Sequence, residues 1–210
     1  MPDQLLKGYD RFRDGYYAEH KDDFMALAEG QSPETCVIAC CDSRVDVSLI
    51  FDMKPGELFI VRNVANLAPP YDNDGRPKGT SSALEFAVTG LHVKQIVILG
   101  HTKCGGIKAL MDRETESKET FVDQWMTIAD KTRKEVAARG LPKDEQYTAC
   151  EQGTIIQSLE NLMTFPWIAE RVNARTLSLH GMYYDLSDGA LMCYAQDEAK
   201  FLPADDILRS

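Results

Sequence analysis

The chain has 210 residues, of which 44% are hydrophobic and 27% are charged, proportions that are ordinary for a folded globular protein. This length predicts one domain with a sizeable hydrophobic core. The 33 acidic and 23 basic residues give a net charge of −10 at pH 7. That balance argues against nucleic acid or an anionic membrane as a partner, because either would require a basic surface.

The start of the chain shows neither a secretory signal nor a membrane-spanning stretch, since charged residues interrupt every apolar run. We therefore expect a cytoplasmic protein. The cytosol keeps thiols reduced, so the six cysteines are expected to be metal ligands, catalytic groups or core residues rather than disulfides.

Residues 1–30 are predicted to form an N-terminal helical arm of two short helices. In the first helix, apolar side chains recur at spacings of three and four: Leu5, Tyr9, Phe12 and Tyr16. We expect a second copy of the chain to bury this stripe, which predicts a dimer. The alternative is that the stripe packs on its own subunit.

Residues 31–210 are predicted to form an α/β core. Three short apolar runs, residues 35–39, 58–61 and 95–99, are typical of strands buried on both faces. A helix that Thr80 or Ser81 can cap lies between the second and third runs. This strand–helix–strand alternation predicts right-handed crossovers and a parallel sheet.

The second half of the chain is predicted to add two helices and then two strands. The helices cover residues 121–139 and 144–163, and the strands cover residues 176–184 and 190–194. The predicted fold is therefore α/β, with a mostly parallel central sheet of four strands plus an antiparallel edge strand, flanked by helices. We expect one domain over residues 1–210.

Two polar clusters follow the first and third predicted strands. Residues 40–44 read Cys-Cys-Asp-Ser-Arg, and residues 101–106 read His-Thr-Lys-Cys-Gly-Gly. Ligands of open parallel sheets bind beyond the carboxyl ends of the strands, so the topology could bring the clusters together. Cys40, His101 and Cys104 could then hold one zinc ion, with Asp42 or water in the fourth position.

Each part of this constellation also has a simpler interpretation. The His-x-x-Cys pair alone is a weak indicator of metal, and Cys40 alone would be expected to be a small buried side chain. Asp42 could cap the following helix, with Arg44 as its surface partner. Their placement at two strand ends favours the metal site. The other cysteines lack such a setting and are expected in the core: Cys36, Cys41, Cys150 and Cys193.

Five segments resemble the β-class carbonic anhydrases, in the order in which that family has them. Residues 39–45 resemble its C-x-D-S-R motif, and residues 100–106 resemble its G-H-x-x-C-G-G motif. Residues 55–57 and 62–66 resemble its P-G-E and R-N-V-A-N signatures, and residues 180–185 resemble a strand near its C-terminus. The likeness runs from about Gly30 to Tyr194 and is to the plant-type, open-site branch.

The resemblance implies zinc-dependent, reversible hydration of carbon dioxide to bicarbonate and a proton, by attack of zinc-bound hydroxide. It implies one zinc ion per chain, with Cys40, His101 and Cys104 as ligands. In the family, the counterpart of Arg44 holds the counterpart of Asp42 away from zinc. That aspartate accepts a hydrogen bond from the zinc-bound water or hydroxide.

The resemblance also implies the groups that bind carbon dioxide or bicarbonate. The amide of Gln31 and the backbone N–H of Gly105 match groups that orient the substrate. Phe59, Val64 and Phe86 match the apolar pocket. The family's sites lie at a dimer interface, which implies self-association as a homodimer or homotetramer, with some site residues from the partner subunit.

Three positions depart from relatives in the family. Phe86 stands where plant-type members often have tyrosine, and Gly90 where some have histidine, so the resemblance does not assign the route of the proton from zinc-bound water to solvent. His92 is a candidate proton shuttle, and a plain surface histidine is the alternative. Val37 stands where closed-site members carry a tryptophan, so we expect an open site with Asp42 paired to Arg44.

Three other functions remain open on these residues. The same site could hydrolyse carbon disulfide or carbonyl sulfide, because fold and ligands do not set the substrate. Asp42 could fill the fourth position permanently, in a non-catalytic zinc or bicarbonate-sensing protein. Cys40 and Cys41 could serve thiol redox chemistry, which ranks last because adjacent cysteines form strained disulfides.

Overall fold

The computed structural model of the chain describes residues 2–113 and 120–208. The residues group into two units, one ending at Ser32 and the other beginning at Pro33. This division lies close to the predicted boundary between the arm at residues 1–30 and the core at residues 31–210. The organisation of residues 1–210 as a single domain stays a prediction.

The first unit consists of two helices, α1 (Asp3–Phe12) and α2 (Lys21–Glu29), joined by a π-helical turn over Arg13–Tyr17. The two helices pack through aromatic rings, with the Phe12 and Phe24 rings edge to face at 5.8 Å. Much of the predicted apolar stripe remains exposed, since Leu5 and Tyr9 keep 70% and 56% of their surface.

A six-stranded sheet forms the centre of the second unit, in the order β2-β1-β3-β4-β5-β6. The strands β2, β1, β3 and β4 are parallel to one another, and β5 pairs antiparallel with both β4 and β6. The strands are β1 (Thr35–Cys40), β2 (Leu58–Asn63), β3 (Gln95–His101), β4 (Ser178–Tyr184), β5 (Leu191–Ala195) and β6 (Lys200–Pro203).

The predicted α/β sheet is confirmed, and β6 is an addition to it. This strand has four residues and ends in Pro203, which cannot donate a hydrogen bond to a sheet. Proline is tolerated there because β6 lies at the edge of the sheet. A short strand of this composition gives no apolar run that would predict it.

Eight helices of the second unit are described. They are α3 (Val47–Ile50), α4 (Gly79–Glu85), α5 (Gly105–Asp112), α6 (Phe121–Met126), α7 (Asp130–Ala138), α8 (Lys143–Leu162), α9 (Pro166–Asn173) and α10 (Ala204–Leu208). The predicted helix over residues 121–139 is in fact α6 and α7, with a 3₁₀ turn at Thr127–Ala129 between them. None of the described helices is long and apolar enough to cross a membrane.

The core lies on both faces of the sheet, because successive side chains of a strand point to opposite faces. Cys36 and Ile38 of β1 pack in a cluster with Ile155 of α8. Val37 and Ala39, the alternate residues of the same strand, belong to a second cluster. Both faces of β1 are thus buried, as its unbroken apolar run predicts.

Two glycines allow α8 to approach the sheet closely. A Cβ atom at Gly100 of β3 would lie 2.6 Å from Cδ1 of Ile155, and one at Gly181 of β4 would lie 2.8 Å from its Cγ2. Ile155 is fully buried in the notch that the two glycines form. This contact sets the depth at which α8 lies across the sheet.

Candidate metal centre

Three side chains that can bind a metal meet at the carboxyl ends of neighbouring strands. Cys40 ends β1, His101 ends β3, and Cys104 is the residue before α5. Their ligand atoms all lie within 4.8 Å of one another, and all three residues are buried. The structure therefore brings together the three ligands that the strand order predicted.

The imidazole of His101 is oriented to offer one nitrogen to an ion. Its Nδ1 lies 2.8 Å from the carbonyl oxygen of Thr102, which can only accept, so Nδ1 carries the proton. The Nε2 atom then has a free lone pair, and among the described residues this buried atom has no hydrogen-bond partner. A metal ion would satisfy it, because a hydrogen bond from Nδ1 to a carbonyl oxygen commonly orients the ring of a metal-binding histidine.

The two cysteine sulfurs lie 4.0 Å apart and share a hydrogen bond. That bond lowers the pKa of Cys40 and raises the pKa of Cys104, because one proton serves both sulfurs. Two cysteine sulfurs and one imidazole are a donor set that zinc prefers, and three protein ligands leave a fourth position open. The residues thus fit a catalytic zinc ion.

Asp42 and Arg44 form a two-bond ion pair beside this group. Nε of Arg44 donates to Oδ1 of Asp42 at 2.9 Å, and Nη2 donates to Oδ2 at 2.7 Å. The guanidinium holds the pKa of Asp42 well below its usual range. Oδ2 of Asp42 lies 4.0 Å from Nε2 of His101, so the carboxylate adjoins the metal group while it is paired with Arg44.

Arg62 of β2 shapes the loop that carries Asp42 and Arg44. Its guanidinium donates to the carbonyl oxygens of Cys40, Asp42 and Val45, at 3.0, 2.7 and 2.7 Å. These three bonds fold the chain after β1 around a single side chain. The sequence motif contains Arg62, but its contacts with the loop are visible only in the structure.

Glu151 is a site residue that the sequence analysis missed. It lies on the buried face of α8, and its carboxylate accepts the backbone N–H of Cys104 at 2.9 Å. Burial raises its pKa, while its hydrogen bonds partly offset that rise. A signal was present, because Glu151 shares the helical spacing of the buried Ile155 and Ser158, where a charged residue is unusual.

The three predicted pocket residues fall into two places. The rings of Phe59 and Phe86 are in contact, with centroids 5.9 Å apart. Val64 packs against the cluster that includes Cys40 and Cys104, and its carbonyl accepts the indole N–H of Trp125 at 2.8 Å. Phe86 keeps 51% of its surface exposed.

The two predicted polar contacts for the substrate lie in different units. Gly105 is the first residue of α5, directly after Cys104, and a Cβ atom there would meet no atom within 4 Å. Gln31 belongs to the first unit, where it follows α2. The roles of both residues stay predictions.

His92 and Cys41 occupy positions that limit their part in the site. His92 precedes β3, at the opposite end of that strand from His101, or about 20 Å away along the strand. This distance removes it as a proton shuttle within the same chain. Cys41 is exposed, so its expected core position was wrong; β1 ends at Cys40, and Cys41 begins the loop beyond it.

The other three cysteines lie as expected or partly so. Cys36 and Cys150 are fully buried, and Cys193 of β5 is half-buried. Val37, which stands where closed-site relatives carry tryptophan, is buried in the cluster that Tyr184 also contacts.

Comparison with known proteins gives one consistent result. Residues 35–191 match the family model described as carbonic anhydrase. The chain is 40% identical over 189 residues to a chloroplastic β carbonic anhydrase of Arabidopsis thaliana, β carbonic anhydrase 5. It is 42% identical over 193 residues to the mitochondrial β carbonic anhydrase 6 of the same plant. These matches cover 89% and 90% of this chain but only 62% and 66% of the two relatives.

Solved structures agree with this result. The β-carbonic anhydrase CcaA superposes with a TM-score of 0.90 at 33% identity, covering 96% of this chain and 91% of that one. A tetrameric β-carbonic anhydrase of Sordaria macrospora superposes with a TM-score of 0.82 at 28% identity, covering 91% and 95%. The family match includes Cys40, His101 and Cys104. On this agreement of sequence, fold and ligand group, the chain belongs to the β-class carbonic anhydrases.

Proposed function

We propose that this chain catalyses the reversible hydration of carbon dioxide to bicarbonate and a proton, with one zinc ion held by Cys40, His101 and Cys104. The observation that carries the proposal is the buried Nε2 of His101, which accepts no hydrogen bond from the described part of the chain and is grouped with two cysteine sulfurs beside the pair of Asp42 and Arg44. Zinc bound there would act as a Lewis acid that lowers the pKa of a water molecule and so supplies hydroxide near neutral pH.

Asp42 would orient the nucleophile. A carboxylate oxygen can accept two hydrogen bonds, so Oδ2 can take an O–H from the nucleophile while it also accepts from Arg44. That bond would turn a lone pair of the nucleophile towards the carbon of carbon dioxide. Arg44 would keep the carboxylate itself out of the fourth ligand position.

Apolar side chains and one helix end would hold the substrate. Carbon dioxide carries no net dipole, so apolar side chains suit it: Val64 beside the cysteine ligands, and the contacting rings of Phe59 and Phe86. As bicarbonate forms, negative charge develops on oxygen, and the N–H of Gly105 at the start of α5 can bind it. A helix N-terminus favours such charge by about 0.3–1 kcal/mol. Gln31 is proposed as a second donor.

Stopped-flow measurement of carbon dioxide hydration by the zinc-loaded protein tests this proposal. Arg44→Ala should lower kcat/KM by about 10²-fold, the lower range for a misplaced proton-accepting group. The chain offers a matched control in Arg76→Ala, since Arg76 pairs with Asp74 at the same spacing on the surface and should leave the rate unchanged.

Three results would contradict the proposal. Equal rates for the two arginine variants would remove the role of Asp42 and Arg44. Hydrolysis of carbonyl sulfide or carbon disulfide without hydration of carbon dioxide would assign the site to those substrates. Zinc binding without any of these activities would make the protein a non-catalytic zinc or bicarbonate-binding protein.

We also propose that the chain self-associates as a dimer or tetramer. One support is the solved Sordaria macrospora relative, which is described as tetrameric. The other is the exposed apolar stripe of the first unit, in which Leu5 keeps 70% of its surface and Phe12 41%. Light scattering at micromolar concentration is the test, and a fully active monomer would contradict this part.

A cytoplasmic location, without nucleic-acid or membrane partners, completes the proposal. The net charge of −10 supports only the part about partners, because it disfavours binding to polyanionic surfaces. The two plant relatives are named chloroplastic and mitochondrial, so the location needs its own test. Fractionation of cells that express the chain from its natural gene would show an organelle-bound pool if the proposal is wrong.

A further inference from the structure

A buried carboxylate contacts one of the metal ligands from outside the ligand group. Glu151 has only 4% of its surface exposed. Its Oε1 accepts the N–H of Cys104 at 2.9 Å, and its Oε2 accepts the hydroxyl of Tyr183 at 2.6 Å. We propose that Glu151 is a positioning residue that fixes Cys104 for metal binding and is itself anchored by Tyr183.

The turn before α5 needs such a partner. Lys103 has a left-handed backbone with φ of +57°, and Cys104 follows it with an extended backbone before the helix begins. The N–H of Cys104 lies before the helix and donates to Glu151, in a residue that is 1% exposed. A buried N–H without a partner is costly, so the bond to Glu151 fixes the peptide plane that precedes Cys104. That plane sets the direction of the Cys104 side chain.

Helix packing, rather than a loop, delivers the carboxylate to this turn. Ile155 lies one turn after Glu151 on α8 and is seated in the notch formed by Gly100 and Gly181. The helix cannot shift away from the sheet without emptying that notch. Tyr183 of β4 lies in the same sheet. The Glu151 side chain is therefore held at its base by α8 and at Oε2 by a strand.

The inference rests on the proposed function only in taking zinc as the resident ion. A carboxyl oxygen accepts an N–H in the charged and in the neutral form, so the role does not depend on the protonation of Glu151. The consequence is a difference between two substitutions of nearly equal length. Gln can still accept the N–H of Cys104, and Met cannot.

The experiment compares Glu151→Gln with Glu151→Met in the full-length chain. Zinc affinity is measured by competition with a chromophoric chelator, and the cobalt-substituted protein reports the thiolate-to-metal charge-transfer band. For Glu151→Met we expect a shifted cobalt band and a zinc Kd raised about 10–100-fold, the usual loss when a residue that hydrogen-bonds a metal ligand is removed. Glu151→Gln should keep both near the values of the unsubstituted protein. Glu160→Met is the control, because Glu160 lies on the exposed side of the same helix and pairs with Lys131, so zinc affinity and the cobalt band should not change.

Tyr183→Phe is a second test that does not place an apolar group beside Cys104. It frees Oε2 of Glu151, so we expect a smaller rise in zinc Kd and a shifted cobalt band. Unchanged affinity and spectrum in folded Glu151→Met, or equal losses for the Gln and Met variants, would overturn the inference. If Glu151→Met does not fold, an unchanged Tyr183→Phe overturns it. Failure of the unsubstituted chain to bind zinc would overturn the proposed function together with the inference.

Discussion

From the contact between α8 and the sheet, we predict how much the substitution Gly100→Ala lowers the free energy of unfolding. In Gly100→Ala, the new Cβ atom would lie 2.6 Å from Cδ1 and 2.9 Å from Cγ1 of Ile155. Both distances are shorter than real Cβ atoms show, so either Ile155 or α8 must move. Ile155 is fully buried and seated against Gly181 as well, which leaves it little room.

The expected size of the effect follows from two opposing terms. Overpacking of a tight core costs about 1–3 kcal/mol. Replacing glycine by alanine within a strand recovers about 0.5–1 kcal/mol of conformational entropy. Taking the middle of each range, we expect Gly100→Ala to lower the free energy of unfolding by about 1 kcal/mol. Ile155→Val alone should cost about 0.5–1.5 kcal/mol.

The double variant identifies the cause. Valine lacks Cδ1, the atom in the closest contact, so Gly100→Ala with Ile155→Val should be more stable than the sum of the single effects by at least about 0.5 kcal/mol. Urea unfolding followed by tryptophan fluorescence measures this, at saturating zinc and one protein concentration, because metal binding and association both shift stability. Additive effects, or a Gly100→Ala protein as stable as the unsubstituted one, would refute the packing argument.

Three further variants test other contacts. Trp125→Phe should lower the free energy of unfolding by about 0.5–1.5 kcal/mol, because the carbonyl of Val64 loses its indole donor; urea unfolding measures the loss. Arg62→Lys should weaken zinc binding, since an ammonium group cannot reproduce the planar fork that binds the loop after β1. Unchanged zinc affinity in chelator competition would show that the loop keeps its conformation without Arg62. Lys131→Ala should change the free energy of unfolding by less than about 1 kcal/mol, because its pair with Glu160 is exposed. A larger change measured by urea unfolding would contradict this.

The strands β1, β2 and β3 were predictable because each contains an unbroken apolar run next to turn residues. β1 and β3, buried on both faces, show this most clearly. α9 was missed although Pro166 stands at its first turn, a recognised start signal for a helix. The division between α6 and α7 was also missed, because apolar spacing continues through the 3₁₀ turn and does not register the change in pitch.

The candidate site also has one part that was predictable from the sequence and one that was not. Cys40, His101 and Cys104 were predictable from the sequence, since local motifs at the ends of parallel strands must meet at one edge of the sheet. The contact of Glu151 with Cys104 depends on how deeply α8 lies on the sheet, which Gly100 and Gly181 set through tertiary packing. Spacing along the chain carries no information about that depth.

The pairing of β1 with β3 has a consequence for the order of folding. Cys40 and Cys104 are 64 residues apart, and they meet only when Ala39 lies opposite Leu99 in the sheet. A slip of one residue would move a ligand about 3.3 Å along the strand and turn it to the other face. The ion therefore cannot template the early chain as it does in a zinc finger. Zinc capture should follow sheet formation, so during refolding the metal-dependent signal should lag behind the burial of the strands.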